Sequence, residues 1–393
     1  MKILVCHVAY RQPGGEDVVF ENEKILLQEA GVEVVSVLLH NDSIDDSTWA
    51  GRLHAGIETI WSRRGYQYIA DILQREQPDI VHFHNIFPLL SPSAYLACRD
   101  AGTPVIQTLH NFRLICAGAT LFTKGDICER CIGRIPMPAL YYRCYRDSYM
   151  ATAAVASMQI FHRLIGTFKN HVSRYLVLTT FAKSRLVRGG LPESRIIIKP
   201  NFLMAPPESN IEVGDYALFI GRMSEDKGIG MLLDAWTEIN SLPLLVAGDG
   251  PLYTDMQQKI AVKSGKAHML GHQSKEKVQS LLAAAAFIII PSVCYEGFPI
   301  VLLEAFASGK PVLCSRLGGL DELVSENVTG KKFNAGDSAD LVNIVNKLIL
   351  DKESLERMGR AAREEFNLKY TATVATKELL GIYENVLTGK HDY

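Results

Sequence analysis

No run of 18 apolar residues occurs in this chain, so no segment reads as a membrane-spanning helix. The large positive excess of a general nucleic-acid binder is also absent. The net charge is −2, and nucleic acid is not an expected partner. The composition is too apolar for a disordered chain, and it resembles neither collagen nor a disulfide-stapled miniprotein. An apolar stretch long enough for a signal peptide is missing at the start. Met1-Lys2-Ile3-Leu4-Val5-Cys6 turns polar at His7 and Arg11, so it reads as a buried first strand, and the expected location is the cytoplasm.

What is present suffices for more than one core. At ~100–200 residues per domain, 393 residues suggest two domains or three. With 48% hydrophobic and 21% charged residues the chain is globular. Charge is spread unevenly: residues 1–200 carry 22 Lys and Arg against 18 Asp and Glu, the remainder 19 against 25. Between Arg130 and Arg174, seven Lys or Arg stand against one Asp. Four of the eight cysteines, Cys116, Cys128, Cys131 and Cys144, cluster as C-x11-C-x2-C-x12-C.

Along the first half, apolar runs of strand length alternate with helical patterns. Strands are expected at 2–8, 32–38, 79–84, 104–109, 175–179 and 196–198. Helices are expected at about 16–30, 65–76, 91–101 and 150–169, with a Gly-rich turn at Pro13-Gly14-Gly15 before the first. Residues 112–150 break the pattern and read as an insertion. The stretch Met204–Gly214 reads as a linker. The alternation then restarts, with strands at 216–220, 244–247, 269–271, 286–291 and 311–315, and amphipathic helices in the tail. Strands that are apolar almost throughout, separated by helices, indicate parallel sheets covered on both faces. Two such doubly wound units would place ligands at the carboxyl ends of the strands, in the cleft between domains.

Two stretches carry chemistry. In Glu296-Gly297-Phe298-Pro299-Ile300-Val301-Leu302-Leu303-Glu304, Pro299 suits the first position of a helix, and Gly309-Lys310-Pro311 ends it. Free N–H groups of that first turn would bind an anion, and the two carboxylates flanking it suit the hydroxyls of a sugar and a ribose. The plainer reading makes Glu296 a solvated loop residue and Glu304 a surface charge. In Gly221-Arg222-Met223-Ser224-Glu225-Asp226-Lys227-Gly228, Arg222 offers a planar fork and Lys227 a point charge to phosphate oxygens. The plainer reading there is a turn with two solvated cations.

In order and spacing these residues resemble the large retaining glycosyltransferase family 4. Ala247-Gly248-Asp249-Gly250-Pro251 and Gly318-Gly319-Leu320-Asp321-Glu322 fit the same pattern, and Gly14-Gly15, Val81-His82-Phe83-His84-Asn85 and Thr108-Leu109-His110 fit it more loosely. The resemblance implies an α/β chain of GT-B fold, with two Rossmann-like doubly wound domains facing across a cleft. It implies an acceptor-side domain over 1–203 with its Cys-containing insertion at about 112–150, and a nucleotide-sugar-binding domain over 204–370. Residues 371–393 would form a helix returning to the first domain. The donor would be a UDP- or GDP-sugar, the acceptor a growing polysaccharide or lipid-linked glycan, and no cofactor would be required. By resemblance, Arg222 and Lys227 bind the diphosphate, Glu304 the ribose and Glu296 the sugar, with Gly297, Phe298, Val301 and Leu302 lending backbone support. His110 and Gly15 would approach from the other domain, and His272 would lie near the base.

The chain contains no Asp-x-Asp pair. The resemblance implies a retaining, metal-independent reaction, with which the missing pair agrees, and Arg222, Lys227 and the helix N-terminus would stabilise the departing diphosphate. Glu296 as a covalent nucleophile is the competing route. A nucleotide-sugar epimerase of the same fold and a catalytically silent sugar-nucleotide-binding protein are the alternative functions. His82 and His84 share a strand face, so they form either a metal pair or two satisfied buried histidines. The four clustered cysteines form either a structural zinc site, which usually shows two C-x2-C knuckles, or a set of buried thiols. The basic, aromatic segment 130–174 suits peripheral contact with an anionic membrane or a lipid diphosphate, and equally a helix packed on the sheet.

Overall fold

The computed structural model describes residues 1–9, 14–41, 48–262 and 265–389. Pro13, the corner of the expected Gly-rich turn, lies outside them. The chain divides into two units. The first holds residues 1–123, 128–201 and 375–393; the second holds 124–127 and 202–374.

The first unit contains β1 (Lys2–Ala9), α1 (Gly15–Glu29), β2 (Glu33–His40), α2 (Trp49–Ile60), α3 (Arg63–Glu76), β3 (Ile80–Asn85), α4 (Ser93–Asp100) and β4 (Val105–Leu109). Two short strands follow in the chain, β5 (Phe122–Thr123) and β6 (Asp126–Ile127), the latter within the residues 124–127 that belong to the second unit. Then come α5 (Met137–Tyr142), α6 (Tyr149–Leu164), α7 (Thr167–Asn170), β7 (Arg174–Val177), α8 (Thr180–Arg188) and β8 (Ile196–Ile198). The sheet is parallel, in the order β2-β1-β3-β4-β7-β8. Its central strands β3, β4 and β7 are buried along their whole length, including the polar His82, His84, Asn85, Gln107 and Thr108.

The second unit repeats the scheme with β9 (Ala217–Ile220), α9 (Ile229–Ala235), β10 (Leu244–Ala247), α10 (Tyr253–Val262), β11 (Ala267–Gly271), α11 (Lys275–Ala284) and β12 (Phe287–Ile290). It continues with α12 (Ile300–Ala307), β13 (Val312–Ser315), α13 (Gly318–Leu323), β14 (Gly330–Phe333), α14 (Ser338–Leu348) and α15 (Lys352–Lys369). The last helix, α16 (Ala372–Thr388), belongs to the first unit from residue 375 onward. The strand order β11-β10-β9-β12-β13-β14 is that of a dinucleotide-binding Rossmann sheet, whose winding reverses between β9 and β12. In the first unit the reversal falls between β1 and β3. The fold expectation is met: two Rossmann-like α/β units.

Four details differ from the sequence reading. The expected helix 150–169 is two helices, because Gly166 takes a left-handed conformation (φ 73°) between α6 and α7. The expected strand 175–179 stops early: the Thr179 hydroxyl accepts from the Ala182 N–H and caps α8. Pro299 is the cap residue before α12, with extended ψ, rather than its first helical residue. The expected linker is a strap fastened to the second unit. The Asn210 N–H donates to the Ser308 carbonyl (3.0 Å), the Asn210 amide to the Ala283 carbonyl (3.0 Å), and Lys310 Nζ to the Glu212 carbonyl (2.7 Å). Burial of Lys310 lowers its pKa to about 8.

Candidate functional site

In the second unit, the loops that leave β9 and β12 emerge side by side at the sheet's reversal point. The β9 loop runs Gly221–Gly228, and the β12 loop runs from Pro291 to Pro299. Gly228 holds them together: it is left-handed (φ 68°), and a Cβ there would lie 2.0 Å from the Pro291 carbonyl oxygen. The Val293 N–H donates to the Asp226 carbonyl (2.9 Å), a further bond between the loops. This packing brings Lys227 Nζ to 2.6 Å from Glu296 Oε1. The Ser292 hydroxyl donates to the same oxygen, so Oε2 has acceptor capacity left. Burial disfavours the Lys227 charge, but the Glu296 carboxylate outweighs it through charge and hydrogen bond, and the ammonium pKa is raised.

Glu304 lies one turn into α12, half-buried. Desolvation pushes its carboxyl up to about 7, against a weaker downward pull from Lys275. The first N–H groups of α12, at Ile300 and Val301, precede any carbonyl four residues back in the helix. Leu302 is buried, and the Phe298 ring packs edge-on against Tyr370 (5.5 Å), so these two residues offer the site their backbone rather than their side chains. Gly297 sits between the loop and the cap. Arg222 is exposed and has no ion-pair partner among the described residues, so the structure does not join it to Lys227 and Glu296. His272 is exposed at the end of β11, two strands away from β9.

The first unit builds a different centre at the ends of β1, β3 and β4. Asp17 in the first turn of α1 accepts from the Gly14 N–H (2.6 Å) and pairs with His7 Nε2 (2.8 Å). Gly15 opens α1 and is exposed. The Asn111 amide donates to Glu16 (2.8 Å), which ties the segment after His110 to the same helix start. Deeper in, Glu23 projects from the apolar face of α1 with no exposure. Lys199 Nζ is 2.9 Å from its Oε2, while His82 Nδ1 and His84 Nε2 lie 3.1 and 3.2 Å from its Oε1. Burial alone would raise the Glu23 pKa, but Lys199 and the two imidazoles hold it well below the usual carboxylate range. His84 Nδ1 contacts His110 Nε2 (3.1 Å), with the rings stacked. Desolvation lowers the pKa of His82 to about 3 and that of His110 well below normal, so both are neutral.

Glu23, His82 and His84 present ligand atoms within 4.8 Å of one another, the third ligand that strand spacing alone did not supply. Chemistry nevertheless favours the satisfied-histidine reading. An ammonium already neutralises the carboxylate, and His82 spends its nitrogens on the Tyr383 hydroxyl (2.7 Å) and the Thr108 hydroxyl (2.8 Å).

Sequence reasoning missed Ser292, Asp17, Asn111, Glu23 and Lys199. Only Glu23 left a readable signal, as a carboxylate in register with Val19, Phe20, Leu26 and Leu27 on one helix face.

Comparison with known proteins gives the family. Residues 13–203 match the model for Glycosyltransferase Family 4, and residues 206–365 match the model for Glycosyl transferases group 1. The chain belongs to the glycosyltransferases of this group 1, family 4 type. An uncharacterised glycosyltransferase of Methanocaldococcus jannaschii, MJ1178, is 24% identical over 98% of this chain and 99% of its own length. The lipopolysaccharide 1,2-N-acetylglucosaminetransferase of Salmonella typhimurium is 32% identical, over 42% of this chain and half of its own. Among solved structures, Anabaena Alr3699/HepE in complex with UDP superposes with a TM-score of 0.68, at 17% identity, over 98% of this chain and all of that one. Its fold is shared; the same protein has also been solved with UDP-glucose.

Proposed function

We propose that the protein is a retaining, metal-independent glycosyltransferase that moves a glycosyl group from a UDP- or GDP-sugar to a lipid-linked glycan. The observation that carries this reading is the Lys227–Glu296 contact at the reversal point of a Rossmann sheet, directly before the α12 N-terminus. A donor's diphosphate would compete with Glu296 for Lys227 and meet the first N–H groups of α12. Glu296 Oε2 would accept a sugar hydroxyl and Glu304 the ribose hydroxyls. As the C1–O bond to the diphosphate breaks, charge grows on the leaving oxygen, where Lys227, Arg222 and the helix end stabilise it. That oxygen takes the acceptor hydroxyl's proton while the new C1–O bond forms on the same face of the sugar. The protein then needs no metal ion to balance the leaving group.

The lipid-linked acceptor is supported by a cavity of about 690 Å³ in the first unit, between α2 and α6. Leu53, Ile57, Phe87 and Met150 line it, with Arg146 among them. An apolar chain suits that lining, and Arg146 suits its phosphate. The family relative acting on lipopolysaccharide agrees with such an acceptor.

The direct test is transfer of labelled sugar from UDP- and GDP-sugars to a lipid-linked oligosaccharide, with EDTA present and the product anomer read by NMR. Transfer with retained configuration is expected. An inverted product, or activity lost in EDTA and restored by Mg²⁺ or Mn²⁺, overturns the mechanism. Consumption of donor to an isomer without acceptor favours the epimerase reading.

A second expectation concerns pH. Glu304 must be ionised to accept from ribose, and its carboxyl titrates at about 7. Nucleoside diphosphate affinity should therefore weaken roughly tenfold between pH 8 and pH 6, as one proton is taken up. Glu304→Gln should bind more weakly and without that step. A wild-type affinity flat across this range by calorimetry would place the ribose elsewhere.

A further inference from the structure

We propose that Cys116, Cys128, Cys131 and Cys144 form a structural zinc site that clamps the insertion between β4 and β7. All four thiols line one small cavity of about 10 Å³, room for a single water-sized sphere. Its remaining walls are Phe122, Thr123, Pro138, Ala139 and Tyr142, so no carboxylate or imidazole competes for an ion there. A set of four soft sulfur ligands selects zinc over magnesium or calcium.

The missing second knuckle is supplied by folding. Cys128 and Cys131 bracket a turn, with Gly133 left-handed just after it (φ 70°). Cys116 and Cys144 come from distant turns but meet at Gly118: a Cβ at that glycine would sit 3.9 Å from Cys116 Sγ and 3.6 Å from Cys144 Cβ. The Cys144 N–H donates to the Ala139 carbonyl (3.1 Å), and the left-handed Arg143 (φ 49°) turns the chain into it. The cavity therefore receives one contiguous pair and one split pair. The sulfurs face it without being drawn into a tetrahedron, since among the described residues only the Glu23 group has its ligand atoms within 4.8 Å of one another. A bound zinc ion would have to draw them in to about 2.3 Å.

Electrostatics supports an ion. All four cysteines are free of disulfides. Zinc with four thiolates carries two negative charges. The guanidinium of Arg130 lies over the ring of Tyr142, a wall of the cavity (4.9 Å). The segment's own regular structure is short: α5 has six residues, and β5 and β6 have two each. A metal clamp would add rigidity to it.

The site stands apart from donor chemistry, so its test does not depend on activity. The full chain, purified after growth with added Zn²⁺, should contain about one zinc per molecule by mass spectrometry. Replacement by Co²⁺ should give the intense visible bands and thiolate charge-transfer absorption of a tetrahedral sulfur site. The double variant Cys128→Ser, Cys131→Ser should lose at least nine-tenths of the zinc, and its amides over 116–144 should exchange faster while those of β9–β13 do not change. Zinc-free protein with unaltered exchange protection over 116–144, weak octahedral Co²⁺ bands, or disulfides among these cysteines in protein kept anaerobic would each overturn the assignment. Should the double variant aggregate, the Co²⁺ spectrum of the unmodified chain decides alone.

Discussion

Lys227→Ala is expected to lower kcat/KM by ~10²–10³, the usual effect of removing one preorganised group from a developing anion. The substitution removes the cation that the Gly228 packing places beside Glu296. It should weaken a free nucleoside diphosphate and the sugar nucleotide alike, because both carry the phosphates. Arg222→Ala should act in the same direction. Glu296→Gln keeps the size of the side chain and spares the phosphates, so it should lower turnover while leaving diphosphate affinity nearly unchanged. Titration calorimetry with UDP and GDP on the three variants measures this division. Equal loss of diphosphate affinity in Glu296→Gln and Lys227→Ala would mean that Glu296 serves to position Lys227 and does not contact the sugar.

The second large effect lies in the first unit and concerns stability. Lys199→Met leaves the buried Glu23 carboxylate without its ammonium partner, and removing one partner of a buried pair typically costs ~3–5 kcal/mol. Pairing it with Glu23→Gln should recover much of that loss, because no uncompensated charge remains. Hydrogen exchange of the β1 and β3 amides reports the unit's own opening. A Lys199→Met chain with undiminished protection there would show that the pair contributes little.

The pH responses should have opposite signs. In the parent chain Glu23 has a depressed folded pKa, so its stabilisation holds above its unfolded value of 4.5 and disappears as pH falls through the folded value. His7, His82 and His110 have folded pKa values below 6.5, so from 6.5 downward the unfolded chain binds more protons and protection falls further. In Lys199→Met, Glu23 takes up a proton more readily, and the variant's deficit relative to the parent should shrink with acid.

Both parallel sheets were legible in the sequence because strands buried on two faces are mostly apolar. The elements that escaped notice lacked such a pattern. Helix α13 is Gly-Gly-Leu-Asp-Glu-Leu, β14 is Gly-Lys-Lys-Phe, and α2 carries two glycines inside its span. The residues of the donor-side candidate were legible one at a time. The Lys227–Glu296 pairing was not, because it joins positions 69 apart through a strand order that side-chain periodicity does not encode. Lys199 was hidden for a related reason: it follows three isoleucines at the end of β8, and only the tertiary fold brings it to Glu23 from α1.

The strap over residues 204–214 matters to anyone building chimeras from this scaffold. Gly214 is pressed against α11, where a Cβ would fall 1.7 Å from the Ala284 carbonyl oxygen, and Arg363 of α15 reaches the Pro207 carbonyl (3.3 Å). The strap thus covers carbonyls at the ends of α11 and α12 that would otherwise face water without partners. A transplanted second half should accordingly begin at Phe202, where the unit's main segment starts, whereas a graft starting at the β9 strand would expose the back of its own helices and be prone to aggregate.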